Sequence, residues 1–248
     1  MRRFFVKVLP DDGGPCIIDG KEARHIIKVL RMGKGDRVIV MDPAGQRYYG
    51  VIESLGTQSV ALRLEGPAPR PEPSPIEIEL CQALLKSQAM DLLVQKASEI
   101  GVDKLVPFTS ERTVVKLDQE RFALKRRHWQ EIARNAAKQC DRASPMEIAP
   151  LQTFQDLVFA MGDIQGQKVI LWEQEPARDL RGLLRSTSSG GKVIAIVGPE
   201  GGFSGKEVEI ARGSGFVPAS LGSRILRSET AALAISAILQ YEWGDLGG

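Results

Sequence analysis

Apolar positions along the chain follow two rhythms, and the change falls near residue 70. Ahead of that point, strand-length apolar stretches succeed one another in "FFVKVL", "DRVIVMD", "YYGVIES" and "SVALRLEG". Gly or Asp turns separate several of them, the punctuation expected between strands. One stretch departs from this pattern. In "KEARHIIKVLRMG", Ala23, Ile26, Ile27 and Leu30 recur at helical spacing. Many short strands and one helix within about 70 residues predict a small β-barrel.

The change itself falls in "EGPAPRPEPSPIEI", which holds five prolines from Pro67 to Pro75. Proline fits neither a helix interior nor a central strand. A semi-rigid, extended linker is expected there, and it divides the chain into domains at 1–70 and 74–248. Beyond it, strand and helix patterns alternate. "IEIELCQALL", "KLVPF", "KVILWEQ" and "KVIAIVG" read as strands. "AMDLLVQKASEIG", "RFALKRRHWQEIARNAAKQ" and "DLRGLLRS" read as helices. This alternation predicts an α/β domain with a mainly parallel sheet covered on both faces.

Two stretches carry candidate chemistry. The first is "VIAIVGPEGGFSGKE", residues 193–207. Its apolar start reads as a buried strand, and Ser204 with Glu207 has the spacing of a capping box at a helix start. The glycine turn between them lies at the carboxyl end of a strand, where open α/β sheets bind ligands. The layout is that of a phosphate cradle. Yet no Lys follows the glycines, and Glu200 places a carboxylate in the turn. A polyphosphate is therefore disfavoured. Taken alone, the turn reads equally well as a plain connection.

The second stretch is "LGSRILRSETAALAISAIL", residues 221–239. Ser228 or Glu229 would begin a helix, and residues 231–243 are apolar on nearly every side. Such a helix is buried against more than one neighbour, as a core element or a dimer interface. Arg224, Arg227 and Glu229 lie just ahead of it, and charges beside a buried element need partners.

Charge and composition narrow the classes. Of 248 residues, 43% are hydrophobic and 26% charged, as in a soluble globular protein. No apolar run approaches the ~20 residues of a membrane span. "MRRFFVKVLP" is cut off by Pro10 too early for a signal peptide. Cys16, Cys81 and Cys140 are far apart and odd in number, so a disulfide framework is not expected and a cytoplasmic location is. Net charge is only +2, but residues 1–70 hold 12 Lys and Arg against 8 Asp and Glu. Arg134 and Arg142 belong to a second basic stretch, with Lys125, Arg126, Arg127 and Lys138. That stretch is either a solvated face or a set of phosphate contacts. His25 and His128 have no partner at metal-ligand spacing, so no metal is expected. The chain has no HExxH, GxSxG or Walker lysine.

Three stretches together resemble the bacterial 16S ribosomal RNA uracil-N3 methyltransferases, the RsmE-type family. They are "LLKSQAMDLLVQKASEIGVDKLVPFTSERTVVK", "IVGPEGGFS" and "LGSRILRSETA", and "HIIKVLRMGKGD" extends the likeness to the front. The resemblance implies a PUA-like RNA-binding barrel followed by a SPOUT-type domain with a trefoil knot. It implies S-adenosylmethionine as cofactor, 16S rRNA in the small ribosomal subunit as substrate, and a homodimer with its site near the subunit interface. Three loops would close over the cofactor. They comprise Leu171, Trp172 and Glu173; Val197, Gly198, Pro199, Glu200, Gly201 and Gly202; and Leu221, Gly222, Ile225, Leu226, Arg227, Thr230 and Ala231. A Walker lysine beside a sulfonium would be repulsive, which accounts for its absence. At Gly201 a side chain would intrude where backbone meets ligand. Arg2, Arg3, Arg24, Arg31, Arg134 and Arg142 are the candidate RNA contacts. One departure is "KQCDR", where Lys138 and Cys140 replace the family's usual Glu and Ser.

Uracil N3 is a poor nucleophile while it holds its proton, so the protein must stabilise the uracil oxygens as charge develops. Arg227 or Arg224 is expected to do this. Glu229 or Glu200 would orient an arginine or accept the proton. Two rival functions share the fold: a SPOUT ribose methyltransferase of tRNA or rRNA, and a non-catalytic RNA-binding assembly factor.

Overall fold

Side-chain alternation along the front strands decides which face of their sheet is buried. The computed structural model describes residues 1–6, 9–10, 14–42, 45–174, 180–188 and 191–247. The front elements are β1 (Arg2–Phe5), β2 (Cys16–Asp19), α1 (Gly20–Arg24), β3 (Arg37–Met41), β4 (Arg47–Leu55) and β5 (Ser59–Pro67). A π-helical turn, His25–Val29, extends α1. The sheet order is β1-β3-β4-β5-β2, with β1 parallel to β3 and the other pairs antiparallel. In β2, Cys16 and Ile18 are buried while Ile17 and Asp19 face out. Phe4, Val38, Val40, Ile52, Val60 and Leu62 join them, and Ala23 and Ile26 of the helical segment cover the same core. The first strand begins at Arg2, ahead of "FFVKVL", and Lys7 and Val8 lie outside the described residues.

The rear elements alternate as expected. They are β6 (Glu77–Ala83), α2 (Ser87–Ile100), β7 (Lys104–Thr109), α3 (Gln119–Cys140), β8 (Glu147–Ile148), β9 (Gln152–Thr153), α4 (Phe154–Gly162), β10 (Gln167–Leu171), α5 (Leu180–Ser186), β11 (Lys192–Val197), α6 (Gly205–Gly213), β12 (Val217–Ala219) and α7 (Ser228–Trp243). Four of these, β8, β9, α4 and β12, are additions to the expected set. The order is β12-β10-β11-β6-β7-β8, with β9 also on β7, and every pair is parallel. Along β11, Val193, Ala195 and Val197 pack with Leu93 of α2 and Ile235 and Leu239 of α7. Ile194 and Ile196 pack on the other face with Leu157 of α4 and Val208 of α6. A sheet buried on both sides explains why its strands read as unbroken apolar runs. Because every strand is parallel, the carboxyl ends of β10, β11 and β12 share one edge.

The chain divides into two units, Met1–Pro73 with Ala137–Ser144, and Ser74–Ala136 with Pro145–Gly248. Within the first, Asp141 has a left-handed φ of 66°. Its carboxylate lies 2.7 Å from Arg3 Nε and 2.5 Å from Arg47 Nη2. Arg47 is buried, so Asp141 supplies the charge that makes its burial tolerable. Lys138 pairs with Glu22 and lies 6.0 Å from the Phe5 ring centroid, so this departure from the family pattern is an ion pair of the first unit. Asp141→Ala should destabilise that unit by about 2 kcal/mol, less than for a fully buried pair because Asp141 is 39% exposed. Faster amide exchange in β3 and β4 checks this, and unchanged exchange contradicts it.

Candidate cofactor pocket

The connections leaving β10, β11 and β12 converge on a cavity of about 630 Å³ at the carboxyl edge of the rear sheet. That size suits a small-molecule ligand. Backbone hydrogen bonds fix the walls. Trp172 N–H donates to the Ala219 carbonyl at 3.0 Å, Leu180 N–H to Ser220 at 3.1 Å, and Gly202 N–H closes the glycine turn onto Pro199 at 3.0 Å. Beneath the turn lies Gln82, fully buried at the end of β6. Its amide donates to the Ser228 hydroxyl at 2.9 Å and to the Gly198 carbonyl at 3.4 Å, while Ser228 Oγ donates to that same carbonyl. The glycine turn and the start of α7 are thereby held to one strand end.

The turn leads into α6 through the expected capping box. The Ser204 hydroxyl accepts from Glu207 N–H, and the Glu207 carboxylate accepts from Ser204 N–H at 2.9 Å. The other Glu207 oxygen accepts from Glu111 N–H at 2.9 Å, which brings the loop after β7 beside the turn. Gly202 has φ +66°, and a Cβ there would lie 2.8 Å from Glu173 Oε1. A Cβ at Gly198 would meet the Phe203 ring at 3.0 Å. At Gly201 it would meet the Cβ of Arg112 at 3.1 Å, with no left-handed φ. The position that requires glycine most strongly is therefore Gly202 rather than Gly201.

The structure brings the three expected loops together. Leu171, Trp172 and Glu173 line the cavity, with Val197, Gly198, Pro199, Glu200, Gly201 and Gly202. From the third loop come Leu221, Gly222, Arg224, Ile225, Leu226, Arg227, Glu229 and Ala231. Thr230 does not line it; within α7 it points outward, while Arg227 and Ala231 share a face one turn apart. Lys86 and Ala89, at the start of α2, also line the cavity, and sequence reasoning missed them. The charged lining is Lys86, Arg224 and Arg227 against Glu173, Glu200 and Glu229. Trp172 Nε1 is buried without a partner among the described residues, a donor free for a ligand.

The candidate RNA contacts fall in different settings. Arg2, Arg24 and Arg31 are exposed on the first unit. Arg3 is engaged with Asp141 and donates to the Lys138 carbonyl at 3.1 Å. Arg142 is half-buried, and its N–H donates to Ala137. Arg134, on α3, pairs with Glu131 at 2.8 Å. Among the described residues, no group of three His, Cys, Asp or Glu could hold a metal ion, and no helix is long and apolar enough to cross a membrane. His128 Nε2 lies 3.1 Å from Asp91, which also accepts from Trp129 Nε1, so its setting is an ordinary α2–α3 contact. Burial pushes the Cys81 thiol well up, reinforced by the Glu79 charge, and burial raises Cys16. Both are thiols suited to packing rather than reactivity.

Sheet, loops and pocket agree with comparisons to known proteins, which define the class as an RNA methyltransferase. The profile of the RNA methyltransferase domain matches residues 72–240, and that of the RNA methyltransferase PUA domain matches 18–65. Ribosomal RNA small subunit methyltransferase E of Bacillus subtilis is 30% identical, over 100% of this chain and 99% of that one. A Legionella pneumophila methyltransferase solved in complex with SAM is 31% identical with a TM-score of 0.90, over 98% of both chains. The Neisseria gonorrhoeae ribosomal RNA small subunit methyltransferase E, solved bound to S-adenosyl methionine, is 28% identical with a TM-score of 0.89, over 99% of both. The chain belongs to the ribosomal RNA small subunit methyltransferase E family.

Proposed function

We propose that this protein transfers the methyl group of S-adenosylmethionine to N3 of a uridine in 16S rRNA, as a cytoplasmic homodimer acting on the small ribosomal subunit. The observation that carries this reading is the three-loop pocket at the sheet's carboxyl edge, in a chain similar over its whole length to SAM-bound relatives. The residues fit the cofactor's chemistry. Leu171, Val197, Leu221 and Leu226 offer apolar walls for an adenine ring. The unpartnered Trp172 Nε1 offers a donor, and Glu173 offers acceptors for hydroxyl or ammonium groups. The domain limits 1–70 and 74–248, and a trefoil knot at the end of the parallel sheet, belong to the same reading.

When bound, S-adenosylmethionine supplies an electrophilic methyl group with a good leaving group already attached. The protein then has to place the base and hold the negative charge that develops on its oxygens. Arg227 and Arg224 line the pocket and only donate, so they suit those oxygens rather than the proton. Glu229 and Glu200, on the same lining, are the expected proton acceptors, while Glu173 is assigned to the cofactor. The target base must be unpaired, because N3 is occupied inside a Watson–Crick pair. Nucleoside mass spectrometry of 16S rRNA from a deletion strain tests the reading. N3-methyluridine should be missing and return when this chain is restored. A 2′-O-methyl nucleoside that follows the chain instead would support the ribose-methylating rival.

The dimer rests on α7. Ile238 and Tyr241 are exposed on it at 37% and 68%, and Leu92 of the neighbouring α2 at 45%. An isologous pair would cover them. Light scattering should give about twice the 27.1 kDa chain mass, and a monomer mass at micromolar concentration would reject the dimer.

A further inference from the structure

We propose that Arg112, on the loop after β7, is a direct phosphate contact for the RNA at the rim of the pocket. This rests on the methyltransferase reading and adds an RNA contact on the rear unit itself, apart from the basic front. The Arg112 guanidinium donates from Nη1 to the Gly201 carbonyl at 3.0 Å, so it sits against the outside of the glycine turn whose inner side lines the pocket.

Three observations separate this from a merely structural arginine. First, the loop does not need the side chain to hold its shape. Ser110 N–H donates to Thr113 Oγ1 at 2.8 Å, Thr113 N–H donates back to the Ser110 carbonyl at 3.1 Å, and Glu111 N–H is tied to the buried Glu207. The glycine turn closes on itself through Gly202 and Pro199. Second, Arg112 is exposed and makes no ion pair among the described residues. One of its five N–H donors is used, and the rest of the fork is left for an anion. Third, the other lining loop carries Arg224 and Arg227, exposed and likewise without an ion pair among the described residues. A strand delivering its base to the cavity would find cations on both loops. Glu207 is then a positioning residue: one carboxylate caps α6 and sets the loop from which Arg112 reaches out.

The test uses the full-length protein and an unmodified 16S rRNA transcript. Arg112→Ala should raise the KM for this RNA roughly tenfold with kcat and cofactor affinity unchanged. It should also lower the slope of log affinity against log salt by about 0.7, the share of one single-strand phosphate. Arg112→Lys should restore the slope but only part of the affinity, because the charge returns without the fork. A weakened cofactor affinity with an unchanged salt slope would overturn the proposal and make Arg112 a brace for the turn. An unchanged KM and slope would also overturn it. RNA binding is read apart from methyl transfer. A wild-type chain that binds the transcript but leaves N3 unmethylated would therefore sink the functional reading, while the slope still decides Arg112.

Discussion

Gly202→Val is expected to weaken S-adenosylmethionine binding at least a hundredfold while the protein remains folded. Two costs coincide at this position. Its φ of +66° lies where a β-branched residue is strained by roughly 1–3 kcal/mol. A Cβ there would also lie 2.8 Å from the Glu173 carboxylate, on the wall assigned to the cofactor. Rotating Glu173 relieves the contact but displaces a carboxylate of the pocket lining, and the φ strain is relieved only by moving the backbone of the turn, which is the ligand surface. A hundredfold loss corresponds to about 2.7 kcal/mol, within reach of the two costs together. Gly201→Val should cost less, about tenfold, because only the contact with Arg112 must give. Calorimetry on variants with native circular dichroism measures both. Unchanged affinity in folded Gly202→Val would remove the turn from the site.

Arg227→Ala should act on turnover instead. Arg227 stands at the N-cap of α7 in extended conformation, with its side chain on the pocket lining. It makes no cap hydrogen bond through its side chain, so α7 does not depend on it. Removing one donor aimed at developing oxyanion charge typically costs ~10²–10³ in kcat. A loss of that order is expected, with cofactor affinity within about threefold of wild type. The split matters, because an interaction made mainly in the transition state lowers kcat and kcat/KM together. If cofactor affinity falls and turnover by saturated enzyme does not, Arg227 belongs to the cofactor loop and the catalytic donor lies elsewhere, with Arg224 next to test.

What the sequence discloses here is what depends on neighbours along the chain. The capping box needs only Ser204 and Glu207 three residues apart, and it forms as the spacing predicts. The apolar runs of β6 and β11 announce burial on both faces before any partner is known. The basic helix and α7 are legible from the sequence as well, α7 from its all-round apolar run, and it begins at Ser228, one of the two starts expected. Short elements escape. β12 is three residues with Pro218 at its centre, β2 is four, and α4 has little flanking signal. Long-range partners escape entirely. Nothing local ties Gln82 to Ser228, 146 residues away, or Glu207 to the loop that carries Arg112. Lys86 and Ala89 reach the pocket only because β6 lies beside β11. Thr230 was expected in the cofactor loop because the motif runs through it, but the helix has already begun there and turns it outward.

The most direct measurement is primer extension on unmodified 16S rRNA treated with this protein and S-adenosylmethionine. A methyl on N3 removes the only Watson–Crick donor of uracil, so reverse transcriptase should stop strongly beside one uridine. Arg227→Ala should reduce that stop. A ribose methyl leaves the pairing edge intact and gives at most a pause that depends on nucleotide concentration. Methyl incorporation into the RNA without a strong stop would contradict the N3 assignment.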